Sequence, residues 1–180
     1  MNPCRLLSLY VGMALFLVAT SSALPAAPPP HARTVLDASV DAVWDATIAS
    51  LRDTGYKVSE ERRAQGSVSG RRTRLVGRMK EGDAAKELKQ ICLTEPRVGI
   101  DVRGMSEYYV TLTARIGSSE HGKTGIDVVG KITAVFRRRG GAGAPMPVAL
   151  TSNGVLEEEL VRRVRERLAQ GPSEQNPPQP

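Results

Sequence analysis

Between Tyr108 and Phe136 the apolar residues fall on even positions through two long runs. In the first run Tyr108, Val110, Leu112, Ala114 and Ile116 alternate with Glu107, Tyr109, Thr111, Thr113 and Arg115. In the second, Ile126, Val128, Ile132, Ala134 and Phe136 alternate with Asp127, Val129, Lys131, Thr133 and Val135. A period of two belongs to extended chain with one side against a core, and helical geometry would scatter both stripes. The pattern therefore predicts a long β-hairpin with its even face inward.

Helical spacing on either side supplies apolar faces to cover that sheet. Ser39 reads as an N-cap with Asp41 in the favourable first turn, and Val40, Val43, Trp44, Thr47, Ile48 and Leu51 follow as a stripe up to Gly55. Near the C-terminus, Ser152 or Asn153 opens a second helix in which Leu156, Leu160, Val164 and Leu168 recur at i, i+4. Glu158 to Arg162 and Glu159 to Arg163 are acid-before-base pairs on its outer side.

Shorter signals fill the remainder. Thr34 to Leu36 is a candidate short strand; Tyr56 and Val58 begin another, with Ala64-Gln65-Gly66 turning it into a strand from Ser67 to Val76. Asp83 caps a short helix running to Ile91, Pro96 closes that excursion, and Val98, Ile100 and Val102 alternate as a strand before Gly104-Met105. Arg137 to Pro147 is too rich in Gly and Pro for regular structure. The fold class expected is α+β: about five strands, mainly antiparallel, with two amphipathic helices packed on one face.

Hydrophobic residues make up 41% of the chain, yet it has one Trp and two Phe, so the core is aliphatic. Residues 1–23 place Arg5 ahead of an apolar run ending in Ser21-Ser22-Ala23, the layout of a secretory signal peptide. An uncleaved membrane anchor is the alternative, because the run approaches the roughly 20 residues a span needs. Residues 24–33 form a Pro-rich spacer, 34–170 a single α+β domain, and 171–180 a polar, Pro-rich tail. Export to the periplasm or the medium follows from the leader. Of the two cysteines, Cys4 precedes the apolar run, where a lipid-modified cysteine does not lie, and Cys92 would be the mature chain's one thiol.

Lys and Arg total 25 against 19 acidic residues, with a sequence pI near 9.7. Such an excess attracts anionic partners. For an exported protein these are lipid head groups, envelope polymers or acidic proteins sooner than nucleic acid, whose single strands would also want stacking aromatics among the arginines.

Candidate chemistry is sparse. Gly117-Ser-Ser-Glu-His-Gly-Lys123-Thr124 matches the phosphate-loop signature letter for letter. That loop needs a helix N-terminus behind it to present backbone N–H groups to phosphate, whereas the residues from Gly125 onward have period two. A polar hairpin loop is the simpler reading, and a nucleotide enzyme using Lys123 and Thr124 the remote one. Cys92 and His121 are too few for a zinc site and make an unconvincing nucleophile and base. Glu157, Glu158 and Glu159 sit at a helix start, where acids are favoured on dipole grounds alone and an exposed position is expected. No catalytic residue, metal or cofactor is assigned.

Two surfaces remain as binding candidates. Arg71, Arg72 and Arg74 form one basic cluster and Arg137, Arg138 and Arg139 another, as anion-binding candidates, although Arg71 faces opposite to Arg72 and Arg74 along a strand. Tyr109, Val129 and Val135 lie among threonines on the outer side of the hairpin as a partner-binding candidate.

The stretch Ser39-Val-Asp-Ala-Val-Trp-Asp-Ala, then Leu51-Arg-Asp-Thr-Gly-Tyr-Lys-Val, then Ala64-Gln-Gly66 resembles the opening of BamC-type helix-grip domains. The resemblance spans roughly Ser39 to Ser69. It implies an α+β fold with helices on one sheet face and a non-enzymatic accessory role in the cell envelope, with an envelope protein as partner.

Overall fold

A computed structural model describes residues 31–79, 82–93, 104–137 and 144–171. The elements run β1 (His31–Leu36), α1 (Val40–Asp53), β2 (Lys57–Arg62), β3 (Ser67–Leu75), α2 (Asp83–Ile91), β4 (Met105–Ser118), β5 (Thr124–Phe136), β6 (Met146–Leu150) and α3 (Val155–Ala169). The strands form one antiparallel sheet in the order β1-β5-β4-β3-β2, with β6 pairing β5 beyond the end of β1. The protein is α+β.

The β4–β5 hairpin is the spine, paired from Met105↔Phe136 to Ser118↔Thr124. Its even positions face inward as the alternation requires. Tyr108, Val110, Leu112, Ala114, Ile116, Ile126, Val128, Ile132 and Ala134 are all buried, while Phe136, at the strand's end, is half-buried. α1 and α3 lie on this face, and α2 joins them by sending Leu88 and Ile91 into the same core. Burying a side chain of this size stabilises the fold by about 1.5–3 kcal/mol relative to exposing it.

α1 is stopped and started as its residues dictate. Ser39 Oγ accepts from the Ala42 N–H at 3.2 Å, and Gly55 adopts φ +80, so that the Gly55 and Tyr56 N–H groups close on the carbonyls of Arg52 and Leu51. Trp44, 3% exposed, anchors the helix. α3 is capped by Gly154, not Ser152 or Asn153. Those two act one step earlier: Ser152 Oγ accepts from the Gly154 N–H and Asn153 Oδ1 from the Val155 N–H. On α3's outer side Arg163 pairs with Glu159, and Arg162 pairs with Glu159 and Glu166, taking the place of the expected Glu158–Arg162 pair.

The strands and α2 also depart from expectation. β1 begins at His31, inside the stretch assigned to the spacer, because β5 supplies it with a full antiparallel partner. Gly82 caps α2, leaving Asp83 in the first turn. Met146 and Pro147, expected to be irregular, belong to β6, and this strand makes β5 an interior strand along 132–136. Val135, which sequence placed on an outer surface, is accordingly flanked on both sides, by Glu107 and Pro147, and is only 8% exposed. The expected strand at Val98, Ile100 and Val102 lies outside the described residues, as do the leader and the tail. Among the described residues no helix is long and apolar enough to cross a membrane.

Candidate functional site

The second face of the sheet carries none of the three helices. Cross-strand register sets its rows: Ser67, Arg115, Asp127 and Arg33; Ser69, Thr113, Val129 and His31; Arg71, Thr111 and Lys131; Thr73, Tyr109, Thr133 and Ala149. Tyr109 sits centrally, and the Arg71 guanidinium lies 3.7 Å from its ring centroid. At this separation the cation meets the negative face of the ring, worth about 0.5–1 kcal/mol when exposed and more when desolvated. Ser69 and Thr113 join their hydroxyls across the strands at 2.9 Å. Val129 and Tyr109 are half-buried, so part of each meets solvent.

Charge on this face is unbalanced. Arg33, Lys57, Arg62, Arg71, Arg115 and Lys131 point to it, against Glu60, Glu107 and Asp127. Arg62 is committed to Glu60. What remains among the described residues is a threonine-rich, basic surface with Tyr109 as an aromatic platform, complementary in charge to an acidic surface.

The arginine cluster read from the sequence is divided by the pleat. Arg71 goes to the helix-free face, while Arg72 and Arg74 turn under α2 and approach Glu87 at 3.7 and 3.5 Å. The Arg72 guanidinium also stands 5.0 Å from the Tyr56 ring centroid. Burial raises the pKa of the Tyr56 and Tyr108 hydroxyls, so both keep their protons at neutral pH. The Tyr108 hydroxyl lies towards Glu87, and among the described residues the Tyr108 and Tyr56 hydroxyls and Arg72 Nε are enclosed without hydrogen-bond partners. A cleft of about 220 Å³ lies beside them, between Thr54, Leu156 and Arg163. Arg137 is exposed and its N–H donates to the Gly104 carbonyl at 2.9 Å, just past the Met105↔Phe136 pair at the open end of the hairpin; Arg138 and Arg139 lie outside the described residues.

The phosphate-loop lookalike is the hairpin's own turn. Gly117 and Ser118 end β4, a single 3-10 turn covers Glu120–Gly122 with His121 left-handed at φ +59, and Thr124 begins β5. A strand follows, not a helix. The Thr124 hydroxyl donates to the Ala38 carbonyl at 2.6 Å and Lys123 is exposed, so neither group is arranged about a phosphate site.

Cys92 and His121 stay apart. His121 is exposed at the hairpin tip, whereas Cys92 is buried at the end of α2 in a β-bridge with Ser152. Burial pushes the Cys92 thiol up to about 11 from an ordinary 9.0. The folded state thus favours the protonated thiol, a preference fully present below pH 9 and lost as the pH climbs through 11. Denaturation of the wild type and of Cys92→Ala between pH 8 and 11 is expected to show the wild type losing about 2–3 kcal/mol more than the variant. A pH-independent difference would refute the assignment. Among the described residues no group of three His, Cys, Asp or Glu is placed to hold a metal ion.

Glu157 is the functional-looking residue that sequence placed wrongly. It is 0% exposed, not on the solvent side of α3. Its Oε1 accepts from the Gly130 backbone N–H at 3.1 Å and its Oε2 from the Ser152 hydroxyl at 2.9 Å. Gly130 falls between the β5 residues that pair with β1 and those that pair with β6, so its N–H has no strand partner on that side. The carboxylate closes this gap in the sheet, a structural task. Two signals pointed to it: a glycine in the inward series of β5, and a glutamate spaced i, i+4, i+7 with Val161 and Val164.

No family model matches the chain, and no curated protein does.

Proposed function

We propose that this chain is an exported, non-catalytic envelope domain that holds a protein partner against the helix-free face of its sheet. The observation that carries the reading is Tyr109 under Arg71 at the centre of an open, basic, threonine-lined face. Aromatic and arginine side chains together are the usual anchors of protein interfaces, and the excess of cations selects a partner with an acidic surface. Export is supported by the leader-like 1–23, and an accessory role by the resemblance of Ser39 to Ser69 to envelope helix-grip domains.

A photo-crosslinking residue at Thr111, beside Tyr109 on the same face, tests this in the cells that produce the protein. The expected result is a discrete adduct with one acidic protein, reduced at least about tenfold by Tyr109→Ala with Arg71→Glu, the loss typical of interface anchors. Absence of any adduct, or one indifferent to both substitutions, would sink the reading.

The same charge excess favours a second reading, binding of anionic envelope polymers or lipid head groups through Arg71 and the Arg137 to Arg139 run. Binding to vesicles containing anionic lipid should then weaken steeply from low to physiological salt. Arg72 and Arg74 contribute less to it, being turned towards Glu87.

A further inference from the structure

We propose that Asn153 and Gly154 form a self-modifying site, at which the Gly154 backbone nitrogen closes on the Asn153 carboxamide and the asparagine becomes aspartate or isoaspartate within the folded chain. The inference does not rest on the partner-binding reading, since it uses the junction of α2 and α3 and no residue of the open face. The two residues are the chain's one Asn-Gly pair. Glycine, having no side chain, leaves the approach of its own nitrogen unobstructed, and asparagine is among the residues that heat degrades.

Sequence supplies the reactants, and the fold adds a base and a donor for the charge that develops. The Gly154 N–H donates to Ser152 Oγ at 3.2 Å, and the Ser152 hydroxyl donates to Glu157 Oε2 at 2.9 Å. These bonds lead from the nitrogen that must lose a proton to a carboxylate that can take it. Ser152 is 2% exposed and Glu157 0%, so bulk water does not compete along this path. Asn153 Oδ1 accepts from the Val155 N–H at 3.2 Å. That bond folds the carboxamide back over the intervening peptide and places a donor on the oxygen that gains charge when Cγ is attacked. Asn153 Nδ2 donates to the Gln90 carbonyl at 2.8 Å, which fixes the orientation of the amide, and Asn153 is half-buried, so water reaches the product ring.

The reaction balances with water as the only co-reactant. As the bond from Gly154 N to Asn153 Cγ forms, the Gly154 proton passes to Ser152 Oγ and the Ser152 proton to Glu157. The Cγ–Nδ2 bond then breaks, and Nδ2 takes a proton from water and departs as ammonia, leaving a succinimide. The hydroxide so formed recovers the proton held on Glu157. A further water opens the ring at either carbonyl, giving aspartate or, with the chain rerouted through the side chain, isoaspartate. Ser152 touches the reacting nitrogen and is catalytic in this step; Glu157 acts through Ser152 and is a positioning residue. Either product removes the donor from the Gln90 carbonyl and sets a carboxylate against the last turn of α2.

The test incubates the full chain, native and in guanidinium chloride, and follows the peptide carrying Asn153 by mass spectrometry, with isoaspartate measured by enzymatic methylation. The expected result at neutral pH is conversion at least about tenfold faster in the native chain than in the denatured one, the contribution of a positioned base. Glu157→Gln, which keeps an acceptor and nearly the same volume, should bring the native rate down towards the denatured one. From neutral to mildly alkaline pH the denatured rate should climb, because hydroxide then removes the proton, while the native rate climbs far less. A merely structural Glu157 would leave the two profiles parallel, and that outcome overturns the proposal. So does a native chain that converts no faster than the denatured one, a comparison that needs no variant to fold. A folded Glu157→Gln variant that reacts at the wild-type rate overturns it as well.

Discussion

Glu157→Ala is expected to destabilise the fold by about 3–4 kcal/mol, measured by urea denaturation, the sum of an orphaned buried N–H and a cavity. The enclosed Gly130 N–H loses its acceptor, which costs about 1–3 kcal/mol, whereas the Ser152 hydroxyl can turn elsewhere. The remaining cost is the void left by the carboxylate against the sheet. Glu157→Gln keeps an acceptor and nearly the same volume, so its loss should be clearly smaller. Gly130→Ala attacks the same contact from the other side: a Cβ there would stand 2.5 Å from Glu157 Oε1 and 2.8 Å from Cδ, too close to persist without moving α3 or the strand. Residues in direct contact do not add. In the double variant the new methyl occupies part of the space the carboxylate vacates, so the combined loss should fall short of the sum by at least about 1 kcal/mol. Simple additivity would mean that Glu157 does not seal β5 as the geometry requires.

The same residue shows where sequence reasoning stops. The hairpin could be read from alternation because each strand is long and buried on one side, and α1 because cap, stripe and terminating glycine agree. Glu157 could not, since an acid in the first turn of a helix already has a sufficient local explanation. Its real cause is tertiary: β1 and β6 both end short of Gly130, and the gap appears only once both strands are known. β6 was hidden by Pro147 and by the glycine run before it, as strand propensity is set by neighbours that the segment itself does not contain. The start of β1 is not legible because Ala32, the one inward residue of 31–33, is too small to register as an apolar stripe and the stretch follows a run of prolines. On the candidate surface, the opposed directions of Arg71 and Arg72 followed from the pleat. The seat of Arg71 on Tyr109 needed the register Arg71↔Thr111 and Thr73↔Tyr109, which no single strand encodes.

The other large effect is expected at Gly66, where alanine should cost several kcal/mol and lower the urea midpoint accordingly. Two costs coincide there. Gly66 adopts φ +61, a conformation that an L side chain enters at roughly 1–2 kcal/mol. In addition, a Cβ would press on the Ile116 carbonyl oxygen, inside the 3.0 Å that such atoms essentially never breach. That oxygen cannot retreat cheaply, because the Ile116 N–H is held by the Gly66 carbonyl at 2.6 Å, and Ile116 itself is buried in the core. The turn from β2 into β3 and the end of the β4–β5 hairpin would have to separate together. Gly82 supplies the control, for it has φ +83 and, among the described residues, nothing within 4 Å of its added Cβ. Gly82→Ala should therefore show the backbone cost alone, about 1 kcal/mol. Equal losses at the two sites would show that the carbonyl contact contributes nothing and that the β2–β3 turn is not clamped to β4.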